Sequence, residues 1–298
     1  MFDLRYHVVS LAAVFVALVI GILVGVALAS HGLGNTERNR LEEDLRRAES
    51  RADSLKKQVD ALVSGGAGDR AFVERTYRVV MANRLKGKKV AVLFVGSVNG
   101  DLRSAITRAL ADADAGPPIR IRAVKVPIDE VAVGKLLANR PFLAAYAGDG
   151  QLGELGHALG QEFTAGSETP LWNALQSVIV EERVGTPKRP ADAVVVVRTA
   201  DAQSGPTARF LKGLYSGLGD VGVPAVGVEG VSGGTSAMRA FQKAGLSTID
   251  DVDTPAGKLA LALLLGEPGV TGNFGVKRTA HDGPIPSIVP LPATTPGG

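Results

Sequence analysis

The chain of 298 residues contains no cysteine. That excludes disulfides, thiolate metal sites and cysteine nucleophiles together, while leaving the compartment open. Histidine and methionine are almost as thin, with four and three residues. His7, His31, His157 and His281 are scattered, as are Met1, Met81 and Met238. No pair has the i, i+4 spacing of a helical metal site, and no His- or Met-rich run exists, so no soft-metal site is visible. Aromatic residues make up only 5%. With 37 glycines, that composition suits a domain packed from alanine, valine and glycine. Charge of either sign is nearly balanced, at a formal +3. Nucleic-acid binding needs a basic face, and none is present.

What the sequence does have is one long apolar run. From Val8 to Ala29 there are 22 residues without a charge. At 1.5 Å per residue a helix of that length crosses the ~30 Å hydrocarbon core. A signal-peptide core is shorter, about 7–15 residues, so the length argues for a retained anchor. Ala27-Leu28-Ala29 ahead of Ser30 also fits a small-x-small cleavage site, and cleavage there stays open. Gly21 and Gly25 form a GxxxG pair that lets two helices approach closely in lipid, although glycine is common in such helices anyway. Arg5 precedes the span, and Arg38, Arg40, Arg46 and Arg47 follow it. A simple positive-inside count would keep the body in the cytoplasm, but long domains translocate largely regardless of charge. A short amino-terminal flank before a signal-anchor points the same way. The expectation is a single-pass protein, residues 1–32, with its body outside the cytoplasmic membrane.

Residues 33–64 are charged and helical. Leu41, Leu45, Ala48, Ala52, Leu55, Val59 and Leu62 follow steps of 4, 3, 4, 3, 4, 3, an a/d seam over three heptads. This predicts a coiled-coil rod about 45 Å long; a solvated single helix is the alternative, since two central positions are alanine. In a parallel homodimer the g-to-e′ pairs Glu37/Glu42, Asp44/Glu49 and Arg51/Lys56 are like-charged. Each costs a few tenths of a kcal/mol, which the seam can override. They also make another envelope or membrane protein a natural partner, beside a homo-oligomer. Ser64-Gly-Gly-Ala-Gly68 predicts a hinge, and residues 65–86 a hinge and connecting helix stopped by Gly87.

Over 87–272 the pattern alternates. Apolar β runs at 89–95, 119–126, 193–197, 223–228 and 247–252 are separated by helical patterns near 101–113, 128–138, 151–163, 170–182, 207–217, 235–244 and 255–265. Valine-rich strands alternating with helices predict a doubly wound, mostly parallel α/β domain of Rossmann or flavodoxin type. No internal repeat is found. The proline-rich residues 273–298 predict an extended or disordered tail.

Ligands of doubly wound sheets bind beyond the carboxyl ends of strands. Gly96-Ser-Val-Asn-Gly100 sits there, but it lacks the GxGxxG spacing and a P-loop lysine, and reads as a turn. Gly230-Val-Ser-Gly-Gly234 fits GxSxG, with Asp250, Asp251, Asp253 and His281 downstream in hydrolase order. His281 falls in the proline-rich tail, where nothing obvious orients an imidazole. Thr254-Pro255 accounts for the aspartates as a helix start. No catalytic constellation remains, and no enzymatic activity is expected. His157 lies on a predicted helix and reads as a surface or core residue.

The segment RYHVVSLAAVFVALVIGILVG carries Arg5-x-His7, Ser10-Leu11-Ala12-Ala13, and Gly21 and Gly25 within one span. It resembles the amino terminus of the actinobacterial MctB/SteB family, and the layout of coiled coil, α/β domain and proline-rich tail matches too. Members of that family are described as copper transporters, and a corynebacterial relative is associated with cell separation. The resemblance implies an envelope protein of copper transport or homeostasis. The alternative it implies is a non-enzymatic coiled-coil scaffold or regulator of a cell-wall hydrolase complex. Copper enters through the resemblance only. A β-barrel channel needs many amphipathic strands of ~10 residues, whereas these β runs are few, short and apolar. One helix forms no pore unless it oligomerises, and Ser10 is the only polar side chain between Val8 and Ala29.

Overall fold

A computed structural model of the chain describes residues 4–29, 35–148, 150–166, 169–185, 188–232 and 235–290. The chain divides into two units, one up to Ala71 and one from Phe72 onward.

The first unit is helical. Helix α1 spans Leu4–Ala29. Its stretch Val9–Ala27 is long and apolar enough to cross a membrane, and no other described helix is. Helix α2 spans Asn35–Met81, 47 residues without interruption. The hinge expected at Ser64–Gly68 is therefore not a break. A helical glycine costs about 1 kcal/mol against alanine but removes no backbone hydrogen bond. Two long helix-forming flanks propagate through such a weak stretch cooperatively. The rod and the separate helix expected over 65–86 are one element, ending at Met81 ahead of a left-handed Asn83 (φ 62°). On α2, Leu41, Leu45, Ala48, Ala52, Leu55 and Val59 are all exposed. The side chain of Leu62 lies outside the described residues.

The second unit is built on seven strands. These are β1 Val90–Val95, β2 Arg120–Val124, β3 Val180–Gly185, β4 Ala193–Arg198, β5 Ala225–Val228, β6 Ser247–Ile249 and β7 Asn273–Phe274. Their order is β3-β2-β1-β4-β5-β6-β7. Every neighbouring pair is parallel except β2 with β3. Without the antiparallel edge strand this is the flavodoxin-like order 2-1-3-4-5, extended by one strand. The alternation within β1 shows why both faces are covered. Ala91, Leu93 and Val95 face a core with α4 (Glu130–Ala138), α5 (Leu152–Ala165), α6 (Pro170–Ile179), α7 (Gly205–Gly219) and α8 (Met238–Lys243). Val90, Val92 and Phe94 face the other core with α3 (Gly100–Asp112), α9 (Pro255–Gly266), Met81 at the end of α2 and Leu85 just after it. Each such valine, leucine or phenylalanine side chain stabilises the fold by about 1.5–3 kcal/mol when fully buried.

Two strands depart from the sequence reading. The helix expected over 170–182 stops at Ile179, and Val180–Gly185 pairs with β2. Its sequence, VEERVG, lacks an apolar run because an edge strand keeps charge at its margin, which also discourages edge-to-edge aggregation. Arginines secure this edge from within. Arg120 donates to the carbonyls of Phe163 and Arg189, and Arg122 to those of Ile121 and Val184. Burial, with Arg183 and Arg120 nearby, lowers the Arg122 guanidinium to about 10. The second departure is the tail. Residues 273–290 are not an extended appendage. Asn273–Phe274 adds β7 to the sheet. The Asp250 carboxylate accepts the N–H groups of Val276 (2.8 Å) and Lys277 and the Thr279 hydroxyl. Arg84 donates to Glu267 and to the Val289 carbonyl. The anchors lie 26 to 205 positions away in sequence, so composition alone could not reveal them. Residues 273–290 thus pack with the α/β body, and residues 291–298 lie outside the described part.

Helices α5 and α7 touch backbone to backbone. A Cβ on Gly156 would stand 2.1 Å from the Phe210 oxygen, and one on Gly160 2.4 Å from that of Leu214. Reciprocally, a Cβ on Gly213 would meet the Gly153 oxygen at 1.9 Å, and one on Gly217 that of His157 at 2.0 Å. Nothing larger than hydrogen fits, and the contact is the soluble counterpart of small-residue helix packing in membranes.

Helix α9 begins over a buried carboxylate. Thr254 caps it by accepting the Gly257 N–H, and its hydroxyl donates to Asp251 Oδ2 at 3.0 Å. Asp251 Oδ1 is buried without a partner. Burial raises the Asp251 pKa, the Thr254 bond opposes this, and Asp250 and Asp253 add to it.

Two outcomes follow for the full chain, read by fluorescence of its single tryptophan, Trp172, which is buried against Phe163. Gly213→Ala should cost about 3 kcal/mol through overpacking. Gly134→Ala, on α4 with open space at its Cβ position, should be neutral or gain up to about 1 kcal/mol. Equal effects would contradict the helix contact. Asp251→Asn tests the buried acid. A carboxyl whose folded pKa is raised contributes stability below its unfolded pKa, about 3.9, and loses it as pH rises through the folded value. The advantage of Asp251→Asn over the native chain should therefore grow from acid to neutral pH. An advantage that stays flat or shrinks would contradict that assignment.

Candidate functional site

The crevice follows from topology. After β1 the chain passes to α3 on one face of the sheet, and after β4 it passes to α7 on the other. β1 and β4 are neighbours, so their carboxyl ends form the switch point at which ligands of open α/β sheets bind. The loop after β1 holds its shape through local chemistry. Gly96 adopts φ +100°, and a Cβ there would meet the Ala200 nitrogen at 2.8 Å. Asn99 Oδ1 accepts the N–H groups of Asp101 and Leu102, both at 3.0 Å, and caps α3. The Thr199 hydroxyl donates to the Ser97 carbonyl at 2.6 Å, fastening the two loops together. This is the turn that Gly96–Gly100 suggests.

A cavity of about 450 Å³ opens there. Glu229, just beyond β5, organises its wall. Its carboxylate accepts from the Ser236 hydroxyl (2.9 Å), the Ala237 N–H (3.1 Å) and Lys277 Nζ (2.8 Å). Lys277 also donates to the Gly230 carbonyl at 2.7 Å. Arg198, the last residue of β4, donates to the carbonyls of Thr235 and Ser236. Asp253 Oδ1 accepts the Val231 N–H at 2.9 Å. The tail, β5 and the loop after it are thus tied into one polar wall. Asp101, Asp201 and Asp253 add exposed carboxylates to the lining. The arrangement suits a small polar ligand.

The GxSxG segment lies on this cavity. Gly230 and Ser232 line it, and Ser232 is exposed. Gly233 and Gly234 lie outside the described residues. Glu229, Asp253 and Lys277 line the cavity with Ser232, and no histidine is among the described lining residues. Of the three aspartates ascribed to a helix start, two do other work. Asp250 holds the tail, Asp253 holds Val231, and Asp251 alone pairs with the Thr254 cap.

The residues expected to matter from sequence all belong to the first unit. Arg5 and His7 lie in the first turns of α1, with side chains outside the described residues, and Ser10 is exposed on the same helix. Gly21 and Gly25 share one face of α1 with open space at both Cβ positions. Sequence reasoning missed Arg198, Glu229 and Lys277. The first two carried a signal, a charged residue directly after a valine-rich strand. Lys277 carried none, since its segment read as a tail.

Among the described residues the two methionines are kept apart. Met81 is buried in one core and Met238 in the other, on opposite faces of the sheet. His157 Nε2 lies 2.8 Å from Asp220 Oδ2. Among the described residues, no three His, Asp or Glu side chains gather as a metal site would need.

Residues 1–285 match the family described as copper transport outer membrane protein, MctB. Proteins named copper transporter MctB, from Mycobacterium bovis and from two strains of Mycobacterium tuberculosis, are 26% identical to it over 317 residues. The match covers 94% of this chain and 97% of theirs. With an apolar amino-terminal helix and a mostly parallel α/β body, this chain belongs to the MctB family.

Proposed function

We propose that the chain is a single-pass, membrane-anchored envelope protein that serves copper homeostasis through assembly, not by chelating copper in its folded body. The observation that carries this reading is the seam of α2. Leu55 is 61% exposed and Val59 55% exposed on an unbroken helix. Apolar residues at a/d spacing on such a helix are stabilised by a partner helix. The family's name ties the chain to copper transport. Among the described residues one helix is long and apolar enough to span, with Ser10 as its polar side chain between Val9 and Ala27, and the sheet is open and covered on both faces. Transport through such a chain requires several copies or a separate channel protein. The body, on this reading, stands outside the cytoplasmic membrane and performs no catalysis.

The like-charged g-to-e′ pairs of a parallel homodimer favour a second reading, in which α2 seats a helix of another envelope protein and the chain acts as its scaffold or regulator. Three measurements decide. Light scattering of the full chain in detergent should give a dimer or higher oligomer, reduced to monomer by Leu45→Asp with Leu55→Asp. A native chain that is already monomeric points to the second reading, and an oligomer unmoved by the double variant contradicts the seam. Calorimetric titration with Cu(I) and Cu(II) should show no saturable site in the body; defined stoichiometry would contradict assembly without chelation. The native chain has no cysteine, so Ser54→Cys alone reports topology. Labelling by a membrane-impermeant maleimide in cells whose outer layers are opened and whose cytoplasmic membrane stays sealed supports the external body, and protection from it opposes that placement.

A further inference from the structure

A second cavity, of about 340 Å³, lies between α7 and α8. Ala208, Leu211, Lys212 and Tyr215 recur at helical spacing and share one face of α7. Ala240, Lys243 and Ala244 close the side of α8. The walls are apolar, the lining holds three cations in Arg198, Lys212 and Lys243, and no carboxylate lines it. Lys212 and Lys243 are exposed and form no ion pair among the described residues.

Two donors in this lining are unsatisfied. Tyr215 is 2% exposed, and its hydroxyl has no hydrogen-bond partner. Its ring is fixed edge-on against Phe241 with centroids 4.8 Å apart, so packing sets the hydroxyl's position. Burial drives the phenol pKa upward, so the group stays a neutral donor. Arg198 is the second. Its Nη2 is committed to the Thr235 and Ser236 carbonyls, while its Nε is buried without a partner. Arg198 and Tyr215 line the same cavity. Buried donors without acceptors are costly and rare. Here two of them belong to residues that line one largely apolar, positively charged cavity within the size range of small-molecule sites.

We propose that this cavity binds a small organic carboxylate, with its carboxylate on the Tyr215 hydroxyl and Arg198 Nε and its acyl or aromatic body against Leu211 and the three alanines. The chemistry selects the class. Two buried donors suit the two oxygens of a carboxylate. A phosphate dianion would lose more hydration than two donors restore in an apolar cavity. A cation would meet three like charges. The site is independent of the switch-point cleft except for Arg198, which borders both, and it stands apart from assembly through α2.

The test uses the full chain in detergent micelles and ligand-observed fluorine NMR with 4-fluorobenzoate, with empty micelles measured alongside. Saturable binding is expected, displaced by unlabelled benzoate and hexanoate but not by inorganic phosphate or hexylamine. Tyr215→Phe should weaken it about tenfold or more, the loss of one charge-assisted hydrogen bond. The same variant should melt at or above the native temperature, because its hydroxyl has no partner to lose. Lys212→Ala with Lys243→Ala should weaken binding less and more so at low salt. No saturable binding, unchanged affinity in Tyr215→Phe, or displacement by phosphate would each overturn the proposal. So would a melting point several degrees lower in Tyr215→Phe, which would show that the hydroxyl serves the fold.

Discussion

Six parallel strands bury both faces of one sheet, and every connection between them has to choose a face. That constraint shapes the whole body. It makes the strands valine-rich, demands helices above and below, and sends the chain after β1 and β4 to opposite sides. The crevice between those departures is a consequence of the covering, and so is the concentration of polar residues there. Arg198 and Glu229 stand where strands leave the core and side chains can first reach water. The tail then closes the arrangement, with Lys277 pairing Glu229 and Asp250 holding the backbone beneath it.

Burying both faces also sets how close the helices come. On one side of the sheet five helices share the space, and α5 and α7 fit only because glycines remove the side chains between them. That contact in turn presents the outer face of α7 with Tyr215 against α8. The second cavity is thus a product of the same packing, lined by small residues where two helices do not meet fully.

The main architecture was legible in the sequence because it depends on local pattern. Runs such as AVVVV and KVAVLFV need only burial on two faces to become parallel strands, and the apolar run before Ala29 needs only length. What was not legible depended on partners far along the chain. VEERVG became a strand because β2 offered an edge to it. Residues 273–290 became ordered because Asp250 and Arg84 were waiting for them. Ser64–Gly68 stayed helical because cooperativity outweighs a local propensity cost of a few kcal/mol. The site residues followed the same division. Arg198 could have been found from its place after a strand, while Lys277 and Tyr215 take their roles from contacts that no spacing encodes.

The MctB family name ties this chain to copper, yet the folded body separates its few soft donors. The assembly we propose would reconcile these facts, since a chain can govern a metal's passage without holding it. The most direct measurement is growth in copper by cells in which the native gene is replaced by a form carrying Leu45→Asp and Leu55→Asp, with anchor and body intact and expression matched. The account predicts that these cells show the same altered copper tolerance as cells lacking the gene. Native tolerance with the seam destroyed would contradict it.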